Sequence, residues 1–386
     1  MKSIDQLARE GDIIADRSYL DHAASSPTLG EAVAAMTAAF GLPGNPSSLH
    51  TAGRRARRVL EEARESLAAD LGARPSEVVL TSGGTEANNL ALLGAVMAGR
   101  DEVAVSGVEH PSVAAAGNKL AKLLPLPVHP SGHLDLAAAA GIIGRGTALV
   151  SVMWVNNETG AVQPIAEVVA IAHAAGALAH SDAVQAFGHL PLHFGESGLD
   201  LLTVSAHKLG GPVGIGALVV RRGVLLAPSG FGGGQEARLR SGTVPVALAA
   251  GFAAASRAVM EHRASESARL ADLRDRLIAG ALATVPDVVS NTVEPCGPAI
   301  VNLTFAGARA DDLLLLLDAA GVDASTGSAC TAGVHQPSEV LLAMGRSLEQ
   351  AGASLRFSFG PGTTTAEIDL LLAVLPTLVA RARGAT

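Results

Sequence analysis

The sequence predicts an α/β protein, with a mainly parallel sheet covered by helices on both faces and a smaller α+β region after it. Short apolar runs rich in β-branched residues alternate with segments of helical periodicity, as in parallel sheets. The runs expected to form strands are Val78–Thr81, Val103–Ser106, Ala148–Val155, Ala177–His180, Leu201–Ser205 and Ile215–Val220. The helices expected between them include Glu86–Ala98, Ser112–Leu123 and Pro164–Ala175. Ligands bind such sheets at the carboxyl ends of the strands, so polar residues there are the first candidates for a site.

The pattern changes at about Val246, where a long helical stretch, Val246–Leu282, replaces the alternation of strands and helices. A chain of 386 residues is long enough to bury two cores. We therefore expect a large domain at residues 29–262 and a small domain formed by residues 1–28 and 263–386.

Composition excludes several classes of protein. Hydrophobic residues make up 48% of the chain and charged residues 17%, which is typical of a globular protein. The net charge of −8 argues against a nucleic-acid partner, and no run of 18 apolar residues predicts a membrane span. The first residues lack the features of a signal peptide, so we expect a cytoplasmic protein. With only Cys296 and Cys330, a disulfide framework and a cysteine-based zinc site are excluded.

Lys208 is the first candidate for chemistry. It is one of four lysines, and it follows the predicted strand Leu201–Ser205 and precedes a pair of glycines. Most lysines lie on the surface, but a lysine at a strand end in a partly dry site can form a Schiff base.

Two further polar residues follow predicted strands. Asp182 can be read as the N-cap of a helix, but beside a strand-end lysine it can keep the ring nitrogen of pyridoxal phosphate (PLP) protonated. His110 lies between a strand and a helix. A lone histidine is usually structural, although here it can stack on a flat cofactor and shuttle protons.

The glycine-rich turn Thr81–Glu86 joins a strand to a helix, where free N–H groups and the helix dipole favour a phosphate. Such a turn is a weak signal by itself. Ser205 and His207 supply further donors, and the loops Gly232–Gln235 and Arg240–Thr243 are expected to complete the phosphate site.

The two cysteines differ in their surroundings. Cys330 lies among small residues in Ser325–Gly333, a poor core environment, so we interpret it as a reactive thiol. Cys296 lies between a proline and a glycine and is expected to be inert. Arg356 stands within an apolar strand, where it needs a partner, and a substrate carboxylate is the expected one.

Together these segments resemble the cysteine desulfurases, a branch of the class V aminotransferase family with the type I PLP fold. The resemblance extends from Tyr19 to about Asp369. Its motifs lie in order at residues 20–24, 44–50, 53–54, 82–89, 109–110, 156–160, 163–165, 182–185, 205–208, 240–243, 327–330 and 355–360. The motif that ends in Cys330 and its spacing from Arg356 are similar to those of group I of the family.

The resemblance implies a large domain with a mainly parallel seven-stranded sheet, a small domain that carries the catalytic cysteine, and a role for each site residue. Lys208 binds PLP as a Schiff base, His110 stacks on the ring, and both are catalytic together with the nucleophile Cys330. The residues implied in cofactor binding are Gly84, Thr85, His110, Asn157, Asp182 (at the pyridine nitrogen), Gln185 (at the ring hydroxyl), Ser205, His207, Lys208 and, from the other subunit of a homodimer, Thr243. Those implied in substrate binding are Asn157 and Arg356.

The implied activity is an L-cysteine desulfurase that yields L-alanine and a persulfide on Cys330. The acceptor of the sulfur is expected to be an iron–sulfur scaffold or another sulfur carrier. No resident metal is expected, and Cys330 is the one residue expected to contact an iron–sulfur cluster, transiently. Two alternatives stay open: a related PLP lyase acting on selenocysteine or cysteine sulfinate, and a catalytically silent sulfur-relay partner.

Overall fold

The computed structural model describes residues 17–97, 100–120, 122–228, 230–327 and 337–384. The chain divides into two compact units. The larger comprises Ser25–Asn157 and Ala161–Ser265; the smaller comprises the residues up to Ala24, Glu158–Gly160 and the residues from Glu266 onward. The domain bounds expected from the sequence stay a prediction.

The elements follow one another in the order that an α/β chain requires. The strands are β1 (Ser18–Tyr19), β2 (Val78–Thr81), β3 (Glu102–Ser106), β4 (Lys122–Leu126), β5 (Thr147–Ser151), β6 (Leu178–Asp182), β7 (Leu201–Ser205), β8 (Gly216–Val220), β9 (Val288–Ser290), β10 (Ile300–Phe305), β11 (Val322–Asp323) and β12 (Ser354–Ser358). The helices are α1 (Gly30–Phe40), α2 (Thr51–Leu71), α3 (Gly84–Val96), α4 (Pro111–Leu120), α5 (Leu136–Ile142), α6 (Ile165–Ala174), α7 (Phe194–Ser197), α8 (Val246–Thr284), α9 (Ala310–Ala319), α10 (Glu339–Ala343), α11 (Leu348–Ala351) and α12 (Thr365–Gly384).

The larger unit contains a seven-stranded sheet in the order β2-β8-β7-β6-β5-β3-β4. The strands from β4 to β7 are parallel, while β8 is antiparallel to both of its neighbours. The predicted mainly parallel, seven-stranded α/β sheet is confirmed.

Successive residues of the central strands enter different cores. In β5, Leu149 packs with the cluster under α3, and Val150 packs with the cluster under α2 and α6. In β7, Leu201 and Leu202 divide in the same way. Because neighbouring side chains of a strand point to opposite faces, both faces of the sheet are buried by helices.

Two boundary predictions are wrong. The sequence predicts a helix at Ser112–Leu123, but α4 ends at Leu120 and the edge strand β4 begins at Lys122. This strand contains Pro125, which only an edge position tolerates, since proline has no N–H for a second neighbour. The strand predicted at Ala148–Val155 ends at Ser151, and Val155 instead forms an isolated bridge with Val162.

The smaller unit has its own sheets and core. An antiparallel sheet has the order β12-β10-β9, and β1 pairs in parallel with β11. Its core joins Phe305 of β10 and Phe357 of β12 to Leu273 of α8 and Leu375 of α12. None of the helices in the described part of the chain is both long and apolar enough to span a membrane.

Candidate active site

The carboxyl ends of β6 and β7 place the main predicted site residues side by side. The two strands are parallel neighbours, and Asp182, the last residue of β6, is in register with Thr203 of β7. β7 ends at Ser205, and a single 3₁₀ turn, Ala206–Lys208, follows it. The structure therefore brings Asp182, Ser205, His207 and Lys208 to one edge of the sheet in the larger unit.

A cradle for an anion lies where β2 turns into α3. The turn passes so closely over β8 that a methyl group on Gly216 would lie 2.8 Å from the backbone of Gly83. A methyl group on Gly84, the first residue of α3, would lie 3.1 Å from Val184 Cγ2 and 3.7 Å from Ser205 Cβ. Ser205 Oγ is buried and has no hydrogen-bond partner within the described ranges. A helix N-terminus beside an unsatisfied hydroxyl is a chemical fit for a phosphate.

The carboxylate of Asp182 accepts two hydrogen bonds that fix its position. Asn88 Nδ2 donates to its Oδ2 over 2.7 Å, and the backbone N–H of Val184 donates to its Oδ1 over 3.0 Å. The residue is only 5% exposed. These two donors fix the orientation of the carboxylate.

A chain of hydrogen bonds links Asp182 to His110. Asn88 Nδ2 also donates to Ser112 Oγ over 2.9 Å, and Ser112 Oγ lies 2.7 Å from His110 Nδ1. The backbone N–H of Ser112 donates to Nδ1 over 3.1 Å, so this nitrogen is an acceptor and the neutral ring carries its proton on Nε2. Burial lowers the pKa of His110; the charge of Lys208 also lowers it, and that of Asp182 opposes the change.

Glu109 is a functional candidate to which the sequence assigned no role. Its Oε1 accepts hydrogen bonds from Ser106 Oγ over 2.9 Å and from the backbone N–H of Met153. Its Oε2 has no hydrogen-bond partner among the residues that are described. Burial, and then the negative charge of Asp182, raise the pKa of Glu109 to about 8. The signal in the sequence was an acidic residue just after a buried strand.

Ser26 fixes the backbone on either side of Lys208. Ser26 Oγ donates to the carbonyl of Lys208 over 3.1 Å, and the N–H of Ser26 donates to the carbonyl of His207 over 2.9 Å. His207 Nδ1 lies 3.3 Å from Ser25 Oγ. Burial, with the nearby charge of Lys208, lowers the pKa of His207 to about 4.

The remaining predicted residues differ in how far they are buried. In the larger unit Gln185 is buried and Asn157 half-buried, whereas Thr85 and Thr243 are exposed. Cys330 lies outside the described residues.

Arg356 belongs to the smaller unit and is 4% exposed. Its Nη2 lies 2.7 Å from Asp21 Oδ1, so its burial does not require a substrate carboxylate, and its role in substrate binding stays a prediction.

Cys296 has the properties of an unreactive thiol. Burial raises its pKa to about 12, against the lowering effect of Arg274. The Nη1 atom of Arg274 lies 2.9 Å from its sulfur, and Glu294, an ion-pair partner of Arg274, adds a negative charge that also raises the pKa. The thiol is therefore protonated at neutral pH and a poor nucleophile.

Comparison with known proteins identifies the family. The sequence model described as "Aminotransferase class-V" matches residues 18–371. The chain belongs to this family. An "IscS-like cysteine desulfurase" of Mycobacterium tuberculosis is 48% identical over 385 residues, which cover 95% of this chain and 98% of that protein. The resemblance to the cysteine desulfurase branch of the class V aminotransferases is thereby confirmed.

Solved structures agree with this assignment. A "NifS-like protein" from Rickettsia africae superposes with a TM-score of 0.87 at 29% identity, covering 94% of this chain and 99% of that one. A structure described as "SspA in complex with cysteine" has a TM-score of 0.79 at 31% identity, covering 90% and 100% of the two chains.

Class V aminotransferases depend on PLP, and the site has the donor set that this cofactor needs. The unsatisfied Ser205 hydroxyl and the first turn of α3 suit a phosphate, and the buried carboxylate of Asp182 suits a protonated ring nitrogen. Lys208 follows the end of β7, the neighbour of the strand that ends in Asp182.

Proposed function

We propose that this chain is an L-cysteine desulfurase that uses PLP held by Lys208 and yields L-alanine and a persulfide on Cys330. The observation that carries the proposal is the lysine at the end of β7 beside a rigidly held, buried carboxylate at the end of β6. The relative from M. tuberculosis, similar along nearly its whole length, is named a cysteine desulfurase. The structural neighbour SspA is described as a complex with cysteine, which supports cysteine as the substrate.

The cofactor, when bound, supplies an electron sink that stabilises negative charge at Cα of the amino acid. Asp182, oriented by Asn88, holds a proton on the ring nitrogen. Ser205 Oγ, His207 and the N–H groups of Gly84 and Thr85 bind the phosphate.

Gln185 and Asn157 are proposed to contact the ring hydroxyl and the neighbouring substrate. Arg356 is proposed to bind the substrate carboxylate, with its guanidinium plane held by Asp21.

Protons are moved by two residues of the same edge. Lys208 takes the proton from Cα, and His110, whose Nδ1 accepts from the backbone N–H of Ser112, offers Nε2–H as a second donor. The Cys330 thiolate attacks the substrate sulfur, the Cβ–S bond breaks, and protons returned to carbon complete L-alanine. One cysteine and one protein thiol thus give one alanine and one persulfide.

Partners are part of the same proposal. We expect a homodimer in which Thr243 reaches the other subunit's phosphate site, and sedimentation of a fully active monomer would contradict it. The proposed acceptor of sulfur is an iron–sulfur scaffold or another carrier protein, in the cytoplasm.

The deciding experiment compares the two cysteines. Cys330→Ala is expected to bind PLP and L-cysteine but to release no alanine and carry no persulfide, whereas the matched control Cys296→Ala is expected to keep both properties. Alanine release and mass spectrometry of the intact protein after incubation with L-cysteine measure them. Full alanine production by Cys330→Ala, or a persulfide on Cys296, contradicts the proposal. Relative rates on L-cysteine, selenocysteine and cysteine sulfinate separate the desulfurase from the related lyases.

A further inference from the structure

Glu158 is a buried carboxylate of the smaller unit that the mechanism above does not use. It is 6% exposed, and Ser338 Oγ donates to its Oε2 over 2.5 Å. The same Ser338 Oγ accepts from the backbone N–H of Leu341 over 3.0 Å and so caps α10. Glu158 therefore holds the residue at which α10 begins.

The same carboxylate lies against the chain on the other side of Cys330. A methyl group on Gly327 would lie 3.2 Å from Glu158 Oε2 and 3.2 Å from its Cγ. Gly327 also has a φ of +83°, a conformation that favours glycine. Residues 328–336, which include Cys330, lie outside the described ranges, but the chain on both sides of them meets the Glu158 side chain.

The chain before Cys330 is also tied to the strand that carries Arg356. Ser325 and Arg356 exchange two backbone hydrogen bonds, with N–O distances of 3.1 Å and 2.6 Å. The N–H of Gly327 donates to Ser325 Oγ over 3.0 Å. Gly327, which the Glu158 side chain lies against, is thus tied by hydrogen bonds through Ser325 to β12.

In the described part of the chain, charged groups of both signs act on Glu158. Arg356 attracts the carboxylate, Glu339 at the start of α10 repels it, and Asp21 pairs with Arg356. Burial is the largest influence and raises the pKa of Glu158. A buried carboxylate is retained only with compensating partners, and Ser338 and Arg356 are those partners.

We infer that Glu158 is a positioning residue of the sulfur-transfer reaction. This inference rests on the proposed function. Glu158 holds Gly327 and Ser338, which flank the segment that carries Cys330, near each other and near the strand of Arg356. Fixing Gly327 and Ser338, which flank Cys330 in the sequence, lowers the entropy cost of bringing the thiol to the substrate sulfur and so raises its effective concentration there.

The test compares three variants in the PLP-loaded protein. Glu158→Ala removes the acceptor for Ser338, while Glu158→Gln keeps an oxygen acceptor of the same reach. Glu77→Ala is the matched control: Glu77 is also buried and accepts two backbone hydrogen bonds, from Arg74 and Arg222, in the larger unit. Alanine release gives kcat and KM, and the absorbance change of the cofactor on adding L-cysteine reports substrate binding without Cys330.

Glu158→Ala is expected to lower kcat about tenfold or more, the equivalent of one hydrogen bond to a charged group, and to leave KM and the absorbance change within about twofold. Glu158→Gln should recover most of kcat. Hydrogen exchange should rise at residues 325–327 and in α10 in the alanine variant alone.

The positioning role is overturned if Glu158→Ala leaves kcat and the first-turnover persulfide yield unchanged. It is also overturned if Glu158→Gln and Glu77→Ala lower kcat as much as Glu158→Ala does. Those outcomes leave the proposed function intact. Failure of the unaltered protein to release alanine overturns the proposed function instead.

Discussion

Replacing Glu109 by glutamine is expected to remove a loss of stability that the unaltered protein suffers as the pH rises. Burial and the charge of Asp182 raise the pKa of Glu109 from 4.5 to about 8. Its Oε1 holds Ser106 and Met153 in either protonation state, but its Oε2 lacks a donor among the described residues that would stabilise a charge. Glutamine resembles the protonated acid in shape and cannot ionise.

The direction in which the free energy of unfolding changes with pH follows from the number of protons bound in the folded and unfolded states. Between pH 4.5 and about 8 the unfolded chain has released the proton of Glu109 and the folded chain has kept it, so the free energy of unfolding falls with pH. At about 1.4 kcal/mol for each pH unit, the whole window costs about 5 kcal/mol, and the part from pH 6 to 8 about 3 kcal/mol. Above the folded pKa the loss is complete and constant.

Two measurements check this prediction. The difference in melting temperature between Glu109→Gln and the unaltered protein should widen by about 6–12 °C from pH 6 to pH 8, the usual scale for a domain of this size. Infrared difference spectra of the two proteins should show a protonated carboxyl that disappears near pH 8. A temperature difference independent of pH, or a carboxyl that ionises near pH 4.5, would refute the reasoning.

Two other substitutions test the site and the scaffold. Lys208→Ala should lose the adduct that borohydride fixes between PLP and the protein, with loss of turnover, and peptide mapping that finds the adduct on any other lysine contradicts the assignment. Arg64→Met should destabilise the larger unit by about 3–5 kcal/mol, because it leaves the buried carboxylate of Glu236 without its bidentate partner. The control Arg58→Met breaks an exposed ion pair and should leave the urea midpoint unchanged; equal effects of the two would refute the argument.

The sequence by itself determined the sheet and the edge on which the site lies. Apolar strands such as Leu201–Ser205 are recognisable because periodicity and β-propensity are local properties. The carboxyl ends of neighbouring parallel strands meet at one edge, so Asp182 and Lys208 could be brought together before any coordinates. The glycine-rich turn at Thr81–Glu86 was a weaker signal, and the role of Gly84 came from the resemblance to the family.

The tertiary structure alone decided the features that depend on distant partners. The edge strand Lys122–Leu126 is as compatible with a helix as with a strand until its pairing with β3 is known. The high pKa of Glu109 arises from burial and from Asp182, 73 positions along the chain (182 − 109), which no local pattern contains. Arg356 and Asp21 pair across 335 positions, and Glu158 meets Ser338 across 180. Desolvation and long-range charge depend on which residues the fold packs together, and so they are properties of the folded chain and not of its local sequence.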